Sequence, residues 1–396
     1  MKVKIILGVS SGIAIYKAVD LASKLRKEGH ELYVVMTPDA TRMISPVVFS
    51  AVGNCSVYHD WMDVRNGWIP HTDLSRTTDV LVVAPATANT ISKIANGIAD
   101  NLLTLVALAF DKDAKILVPT MNYRMYSNKL FQENLEKLKN NGWFVVEPEE
   151  GHLACGEVGK GRYPENEKIV EAIHLLTFPK KLAGKKVLIT AGPTRERIDA
   201  VRFITNASSG KMGYALATVA KRMGARVSLV SGPTSLKPPY YVDEFVRVES
   251  AEEMYEEVMK RFEDTDIVIM NAAVGDYRPK KVFEGKLKKT EDELVLHLER
   301  TKDILKELGQ RKSHQILVGF AAEVENFEEN AVKKLKEKNL DLLVLNDARK
   351  AFSSDRVEVY IYGRDGFIKR IDEDDKIRVA RGILDVVSDL AGGSPS

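Results

Sequence analysis

Cysteine is nearly missing from this chain, which has only Cys55 and Cys155 in 396 residues and no Cys-x-x-Cys pair. The sequence therefore indicates neither a disulfide framework nor a cysteine-based zinc site, and it favours a reducing cytoplasm. No apolar run approaches the roughly 20 residues that cross a bilayer. The start, MKVKIILGVSSG, enters a strand pattern directly, so we expect no signal peptide and no membrane partner.

An excess of charge of one sign is also missing. The formal net charge is only +2, which gives no reason to expect nucleic acid as a partner. A hydrophobic share of 44% and a charged share of 29% are typical of soluble globular proteins. The length allows two or three domains.

Short apolar runs alternate with helical patterns along the whole chain. Continuous runs of this kind are typical of strands that are buried on both faces of a parallel sheet. Between 12 and 29 the apolar residues have helical spacing, and Gly29 is expected to end that helix. We predict an α/β fold with two doubly wound, parallel-sheet (Rossmann-like) domains. The predicted strands are 2–9, 31–37, 79–87, 114–121, 185–192, 225–232, 266–273, 314–323 and 341–347.

A segment with proline and paired lysines, HLLTFPKKLAGKKV at 174–187, separates the two halves. We therefore predict domains at 1–178 and 179–396. The second half ends in a strand, an Arg-Asp-Gly turn and another strand at 356–371, which predicts a terminal β-hairpin. Ligands of open parallel sheets bind outside the carboxyl ends of the strands, so we expect the sites there.

Small polar residues follow the strands of the first half. GVSSGIA at 8–14 is not G-x-G-x-x-G, so a NAD fingerprint is absent, but its serines form an anion-accepting turn before a helix. TPDA at 37–40, PATANT at 85–90 and PTMNYRM at 119–125 follow later strands. Together these segments indicate one nucleotide-sized site.

Three side chains of the first half are candidates for chemistry, and each has a plainer alternative. His71 is either a general base or a surface residue near a helix that begins at Thr72 or Asp73. Asn122 either holds a ligand or bonds its own turn. Cys155, in the glycine-rich segment HLACGEVGKGR, is either a proton donor on a lid or an inert thiol.

The second half contains FITNASSGKMG at 203–213, which has the composition of a phosphate-binding loop. It is not a Walker A loop, because Thr205 stands where glycine is needed and Met212 follows Lys211. Two interpretations stay open: an anion-binding turn, or a plain side-chain cap for a helix from about Met212 to Met223.

PxMNxxM, ACGxxGxGR and NxSSGKMG occur together in this chain. With these motifs the sequence resembles, over nearly all of residues 1–390, the bifunctional phosphopantothenoylcysteine decarboxylase/phosphopantothenate–cysteine ligase family of coenzyme A biosynthesis. The resemblance implies that the second half uses CTP and an acyl-cytidylate to join 4′-phosphopantothenate to cysteine. It implies that the first half uses FMN to decarboxylate the product to 4′-phosphopantetheine.

The resemblance also implies roles in the first half. His71 matches the essential histidine, Asn122 the residue that holds the substrate carboxylate, and Cys155 the proton donor of a lid. Oxidation of the substrate's CH2–SH group to a thioaldehyde would supply the electron sink that loss of CO2 requires. The family's decarboxylase domains are trimers, so His71 is expected to act on a neighbour's flavin. The residues implied to bind FMN are Ser11, Gly12, Ile13, Thr37, Thr87, Ala88, Asn89, Thr90 and Thr120.

In the second half the resemblance implies that Arg202 and Asn206 stabilise the acyl-cytidylate and that Lys286 helps to form it. Lys334 and Lys338 are four residues apart on one predicted helical face, which would otherwise be taken as solvated. The residues implied to bind the nucleotide are Ala272, Ala273, Val274, Asp276, Lys286, Lys302, Asp303, Ile304, Leu305, Phe320, Lys334 and Lys338.

Two positions depart from the family's pattern: Lys302 replaces a usual proline, and Gly275 stands where alanine is common. Triphosphate chemistry implies Mg2+, although no carboxylate cluster identifies its ligands. The resemblance further implies a homo-oligomer with trimeric decarboxylase and dimeric ligase domains, compatible with a dodecamer. The residues themselves do not decide between CTP and ATP.

Two other classes share the flavin fold. A flavin-binding regulatory protein would not need the set His71, Asn122 and Cys155, since binding alone requires none of the three. A prenyl-flavin or aromatic-acid decarboxylase partner would not carry a fused ligase half. The sequence therefore favours the two-step enzyme.

Overall fold

The computed structural model describes residues 2–64, 67–152, 156–287, 294–323, 327–347 and 356–392. The chain divides into two compact units, Met1–Phe178 and Pro179–Ser396. In each unit helices alternate with the strands of one large sheet, so the predicted α/β class is confirmed. None of the helices in the described ranges is long and apolar enough to cross a membrane.

The first unit consists of short strands and helices in alternation. Its strands are β1 Lys4–Val9, β2 Glu31–Met36, β3 Ser56–Tyr58, β4 Val80–Ala86, β5 Lys115–Pro119, β6 Trp143–Val145, β7 Glu149–His152 and β8 Val158–Arg162. Its helices are α1 Ile15–Lys27, α2 Pro38–Met43, α3 Pro46–Gly53, α4 Pro70–Thr77, α5 Ala88–Ala95, α6 Leu102–Ala109, α7 Tyr123–Tyr126, α8 Lys129–Asn140 and α9 Asn166–Thr177.

The large sheet of the first unit has the order β3-β2-β1-β4-β5-β6, and all its pairs are parallel. Strands β2 and β3 are added on one side of β1, and β4, β5 and β6 on the other. The switch point of the sheet therefore lies between β1 and β4, which is where doubly wound sheets bind ligands. Strand β4 is buried along its whole length, as its continuous apolar run predicts. Strands β7 and β8 form a separate antiparallel ribbon.

The second unit repeats this pattern and extends it. Its strands are β9 Lys186–Ala191, β10 Arg195–Arg197, β11 Phe203–Thr205, β12 Arg226–Ser231, β13 Glu244–Arg247, β14 Ile267–Met270, β15 Tyr277–Pro279, β16 Leu298–Arg300, β17 Ile316–Glu323, β18 Leu342–Asp347, β19 Arg356–Gly363 and β20 Gly366–Asp375. Its helices are α10 Lys211–Arg222, α11 Ala251–Phe262, α12 Ile304–Arg311, α13 Phe327–Glu337 and α14 Lys376–Ala391.

The large sheet of the second unit has the order β13-β12-β9-β14-β17-β18-β19-β20. Its first six strands are parallel and have the same spatial order as the sheet of the first unit. Strands β19 and β20 are antiparallel and form the predicted terminal hairpin. The switch point here lies between β9 and β14.

Three predicted boundaries were wrong. Helix α1 begins at Ile15 and not at residue 12, because the Ile15 amide bonds back to the Gly12 carbonyl in a turn. Helix α4 begins at Pro70, before the predicted Thr72 or Asp73, since proline suits the first helical position.

The third boundary concerns the predicted strand 266–273. Strand β14 ends at Met270. The amide of Ala272 instead donates to Thr190 Oγ1 at 3.1 Å, and the amide of Ala273 donates to the Gly192 carbonyl at 2.9 Å. These bonds turn the chain across the end of β9, where it lines a pocket.

Candidate active sites

A pocket of about 1000 Å³ opens at the carboxyl ends of β1, β4 and β5. Its wall comes from the segments 11–14, 87–89 and 120–122, together with 161–163 from the end of β8. The sequence predicted a nucleotide-sized site at these strand ends. The residues implied to bind FMN that line it are Ser11, Gly12, Ile13, Thr87, Ala88, Asn89 and Thr120.

Ser10 ties the two sides of the switch point together. Its buried hydroxyl donates to the Pro85 carbonyl at 2.7 Å and accepts from the Thr87 amide at 2.9 Å. Thr87 in turn caps α5, and Thr90 lies behind it with the two hydroxyl oxygens 3.1 Å apart. Thr90 is therefore buried and is not among the described residues that line the pocket.

Thr37 is also buried outside the pocket wall. Its hydroxyl caps α2 by accepting from the Ala40 amide at 3.3 Å. The structure thus gives Thr37 a structural contact, and it does not bring this side chain to the pocket.

Strand β8 forms a wall that sequence reasoning missed. Gly161 has φ +149°, and a Cβ there would lie 2.2 Å from the Met121 carbonyl oxygen. The Met121 amide donates to the Gly161 carbonyl at 3.0 Å, so β8 lies directly against the segment after β5. Tyr163 is buried at the end of this wall, and Lys17 Nζ donates to its carbonyl at 3.2 Å. The Gly-Arg that ends the ACGxxGxGR motif was the only sequence signal for this wall.

The pocket has the chemistry that a flavin mononucleotide needs. Ile13, Met121 and Met125 supply apolar surface for a flat ring. Hydroxyl and amide groups of Ser11 and Asn89 lie where α1 and α5 begin, a place that favours a phosphate. The residues present therefore fit the group.

The structure separates the three candidates for chemistry. Asn122 lines the pocket; its Oδ1 accepts from the Arg124 amide at 2.8 Å, and its Nδ2 donates to Glu157 Oε2 at 3.0 Å. His71 lies on α4 and does not line this pocket, and its Nδ1 is buried without a hydrogen-bond partner. Cys155 lies outside the described residues.

Cys55 is a different kind of cysteine. Its thiol is free and donates to the Phe49 carbonyl at 3.4 Å. Burial raises the pKa of the Cys55 thiol to about 11, so it stays protonated and unreactive near neutral pH.

In the second unit the loop 206–210 lies between two smaller pockets. One, of about 200 Å³, is lined by 207–212, 271–273 and 320–322, together with residues from the terminal hairpin. The other, of about 300 Å³, includes Asn206 and Thr234. Ala272, Ala273 and Phe320, which were implied to bind the nucleotide, line the first.

The loop packs tightly on the end of β9. Gly210 has φ +76°, and a Cβ there would lie 2.7 Å from Thr234 Cγ2. A Cβ on Gly213 would lie 2.5 Å from the Ala191 Cβ. Gly210 also occupies the N-cap position of α10 without a side-chain hydrogen bond, so the plain side-chain cap is not what the structure forms.

Asn206 joins this loop to the chain that follows β14. Its Nδ2 donates to the carbonyls of Ala273 and Val274 at 3.1 and 3.2 Å. The candidate asparagine and the candidate nucleotide-binding segment are therefore in direct contact.

Asp199 brings Arg202 and Lys286 near each other. Its carboxylate accepts from the amides of Val201 and Arg202 at 2.7 Å and from the Leu287 amide at 3.1 Å. These backbone donors, that of Val201 first, hold the pKa of Asp199 below its usual range. Nothing in the local sequence pattern indicated this anchor, because Leu287 is 88 residues from Asp199 in the chain.

Lys302 lines neither pocket. Its Nζ lies 2.6 Å from Glu252 Oε1 and 4.1 Å from the centre of the Tyr255 ring. Asp303 caps α12 and pairs with Lys338 at 3.0 Å. Lys338 was placed on the helix with Lys334, but α13 ends one residue earlier, at Glu337.

The other residues implied to bind the nucleotide do not line the two pockets either. Ile304 is buried, and the carbonyl of Asp276 accepts from the Thr301 amide at 3.0 Å. The remaining members of the set outside the pocket walls are Val274, Lys286, Leu305 and Lys334.

The pockets of the second unit are suited to anions. Among the described residues that line them are Lys211, Lys376 and Arg195, and none of these lining residues is Asp or Glu. This lining does not fit a resident Mg2+, which prefers carboxylate oxygens.

One group in the first unit has the composition of a metal site: Glu28, His30 and His174. The Val3 amide donates to His30 Nδ1 at 3.3 Å, which leaves the proton of a neutral ring on Nε2. That nitrogen faces Glu28 at 3.5 Å and cannot ligate a metal while it carries the proton. Hydrogen bonds from His174 and then His30 lower the pKa of Glu28 to about 2. The group is a cluster of two histidines around the Glu28 carboxylate.

Comparison with known proteins agrees with the two units. Residues 1–177 match the family described as Flavoprotein, and residues 182–390 match the DNA/pantothenate metabolism flavoprotein C-terminal domain. The chain is similar to the coenzyme A biosynthesis bifunctional protein CoaBC of Bacillus subtilis, with 47% identity over 98% of this chain and 97% of that protein. Its similarity to CoaBC of Vibrio vulnificus is 41% over 98% of both chains.

Among solved structures, the chain is similar to the C-terminal domain of a CoaBC protein. That match has 49% identity and a TM-score of 0.48, and it covers 54% of this chain and all of the other.

The two units thus define a flavoprotein domain followed by a pantothenate-metabolism domain. The chain belongs to the family of coenzyme A biosynthesis bifunctional proteins, CoaBC.

Proposed function

We propose that this protein joins 4′-phosphopantothenate to cysteine with CTP and then decarboxylates phosphopantothenoylcysteine to 4′-phosphopantetheine. The observation that carries the proposal is the pair of sites in one chain. The first unit has a flavin-sized pocket with Asn122 in its wall. The second has a loop beside a pocket with two lysines in its wall, and Asn206 holds this loop against the segment after β14.

The first unit is proposed to bind FMN at the ends of β1, β4 and β5, as its lining residues support. The cofactor supplies the reversible redox chemistry that makes loss of CO2 feasible. Asn122 Nδ2 is the donor proposed to hold the substrate carboxylate. Cys155 is proposed to return a proton.

His71 is proposed to act on the flavin of a neighbouring subunit. Its buried, unpaired Nδ1 and its position off the pocket of its own chain support this arrangement. Exposed apolar side chains precede His71 in the chain: Trp61, Met62, Val64 and Ile69. Large apolar side chains that are exposed in one segment are what an interface between subunits would cover. These features support a homo-oligomer, and the resemblance to the bifunctional family is what implies trimeric first units and dimeric second units, a combination that a dodecamer satisfies.

In the second unit CTP is proposed to bind along the loop 206–210. The cationic lining of the two pockets supports a triphosphate. Because the described residues of this lining include no Asp or Glu, we propose that Mg2+ arrives bound to the phosphate oxygens of the nucleotide. Arg202, Asn206 and Lys286 are proposed to stabilise charge on the reacting carboxyl and phosphoryl oxygens. We further propose that the enzyme acts in the cytoplasm, in keeping with the free thiol of Cys55.

The two half-reactions test the proposal separately. Phosphopantothenoylcysteine supplied alone should release CO2 from protein that carries flavin. With 4′-phosphopantothenate, Mg2+ and cysteine, CTP should give CMP, and ATP should give AMP more slowly. If ATP is the better substrate, the CTP assignment is wrong; if neither nucleotide is consumed, the ligase assignment is wrong.

A further inference from the structure

Glu157 holds a carboxylate against the residue proposed to bind the substrate carboxylate. Asn122 Nδ2 donates to Glu157 Oε2 at 3.0 Å, and Arg124 Nη2 donates to Glu157 Oε1 at 2.8 Å. Each carboxylate oxygen therefore has one donor from the turn at the start of α7. This geometry shows that Asn122 and Arg124 together accommodate a carboxylate.

The backbone fixes this arrangement from both sides. Asn122 Oδ1 accepts from the Arg124 amide at 2.8 Å, which fixes the side-chain amide with Nδ2 towards Glu157. On the other side β8 begins one residue after Glu157 and lies against α7, since a Cβ on Gly159 would be 2.7 Å from the Tyr123 Cβ. The packing of β8 on α7 thus holds Glu157 within reach of Asn122.

The contacts of Glu157 with Asn122 and Arg124 can also be broken easily. Its side chain is 33% exposed, and its partner Arg124 is 72% exposed. An ion pair with this exposure is weak, because water competes for both groups. A second carboxylate beside Asn122 would be repelled by that of Glu157.

We propose that Glu157 is an internal competitor for the substrate carboxylate, an inference that rests on the proposed decarboxylase function. Glu157 occupies Asn122 before substrate binds, and the carboxylate of phosphopantothenoylcysteine displaces it. After CO2 has left, the product has no carboxylate, so Glu157 returns to Asn122. The competition weakens binding of the acid substrate and leaves binding of the decarboxylated product unchanged.

The test compares two ligands on the flavin-loaded full-length protein. In Glu157→Ala the KM for phosphopantothenoylcysteine should fall about tenfold, the change expected if Asn122 is available in roughly one molecule in ten. The inhibition constant of 4′-phosphopantetheine, which lacks the carboxylate, should stay unchanged. The KM of Glu157→Gln should lie between those of the unmodified protein and Glu157→Ala, because a neutral oxygen accepts a hydrogen bond more weakly than a charged one.

Glu150→Gln is the matched control, since it removes an exposed charge from β7 of the same ribbon. It should change neither constant. An unchanged or raised KM in both Glu157 variants, or equal changes for the two ligands, would show that Glu157 is only a structural tie. If the unmodified protein releases no CO2, the proposed decarboxylase function fails and this inference fails with it, whereas normal CO2 release with an unchanged KM in the Glu157 variants overturns the inference alone.

Discussion

The side-chain amide of Asn206 donates to the backbone carbonyl of Ala273, 3.1 Å away. This bond joins the loop before α10 to the segment after β14, which otherwise belong to separate turns. It holds the side chain of Asn206 in the wall of one of the two pockets of the second unit.

Asn206→Asp should greatly slow the proposed ligase reaction without disturbing the first unit. A carboxylate cannot donate to the Ala273 carbonyl and would repel it. Loss of one preorganised donor typically lowers turnover by about 100-fold or more, so CMP release should fall by at least that factor. CO2 release from supplied phosphopantothenoylcysteine is the internal control. A variant that releases CMP normally would show that Asn206 only ties the loop.

His71→Asn should have the opposite effect. Removal of a general acid or base costs roughly 100- to 10,000-fold, so CO2 release should drop by that order while CMP release continues. His174→Asn is the matched control, because His174 pairs with Glu28 and does not line the flavin-sized pocket. Normal CO2 release from His71→Asn would remove this residue from the proposed chemistry.

Gly161→Ala should displace the wall of the flavin pocket. The new Cβ would meet the Met121 carbonyl, and crowding of this kind typically costs about 1–3 kcal/mol. Bound flavin, measured by visible absorbance, should fall, and so should the urea midpoint. Gly142→Ala is the control, since Gly142 also has positive φ, +81°, but its Cβ would meet nothing within 4 Å. Equal losses in both variants would contradict the close approach of β8.

Lys302 and Lys286 offer a matched pair of lysines. Lys302 already pairs with Glu252 and lies over Tyr255, so Lys302→Ala should leave the KM for CTP nearly unchanged. Lys286→Ala should slow formation of the acyl-cytidylate, measured as pyrophosphate release in the absence of cysteine. A large increase of the KM for CTP in Lys302→Ala would show that Lys302 leaves Glu252 and Tyr255 to bind the nucleotide.

The pair formed by Glu244 and Arg261 should make the free energy of unfolding depend on pH in the acid range. Its carboxylate accepts two hydrogen bonds from Arg261, at 2.8 and 2.6 Å, and these lower its pKa from 4.5 to about 2. A depressed carboxyl pKa stabilises the fold fully above pH 4.5, and this stabilisation is lost as pH falls towards 2. The effect should be modest because the carboxylate is partly exposed.

Between pH 4.5 and 2 the urea midpoint should therefore fall less steeply in Glu244→Gln than in the unmodified protein. Glu263→Gln is the control, because it removes an exposed charge at the end of α11, the helix that carries Arg261. Its urea midpoint should change with pH as that of the unmodified protein does. Identical slopes for Glu244→Gln and the unmodified protein would show that the pair does not form in solution.

The sequence was most informative where one local pattern determines the structure. The run at 79–87 predicts β4 because every residue of that strand is buried. Strands of three residues, such as β3 and β6, are too short to show a period. The antiparallel ribbon β7–β8 was missed because its residues are mostly polar or glycine.

For the sites, local motifs placed Ser11, Thr87 and Asn122 in one pocket because parallel strand ends meet at one edge. Tyr163 was missed, since it reaches this pocket only through the packing of β8. The direction of Lys302 depends on two residues of α11 far away in the chain, and no local pattern contains that information.

The central claim is that one chain carries out both reactions in sequence. The most direct test incubates the purified protein with 4′-phosphopantothenate, cysteine and MgCTP, and measures CMP, CO2 and 4′-phosphopantetheine together. The account predicts a yellow protein that forms the three products in equal amounts. A yellow protein that forms neither CMP nor CO2 would contradict it and would instead indicate a flavin-binding regulator.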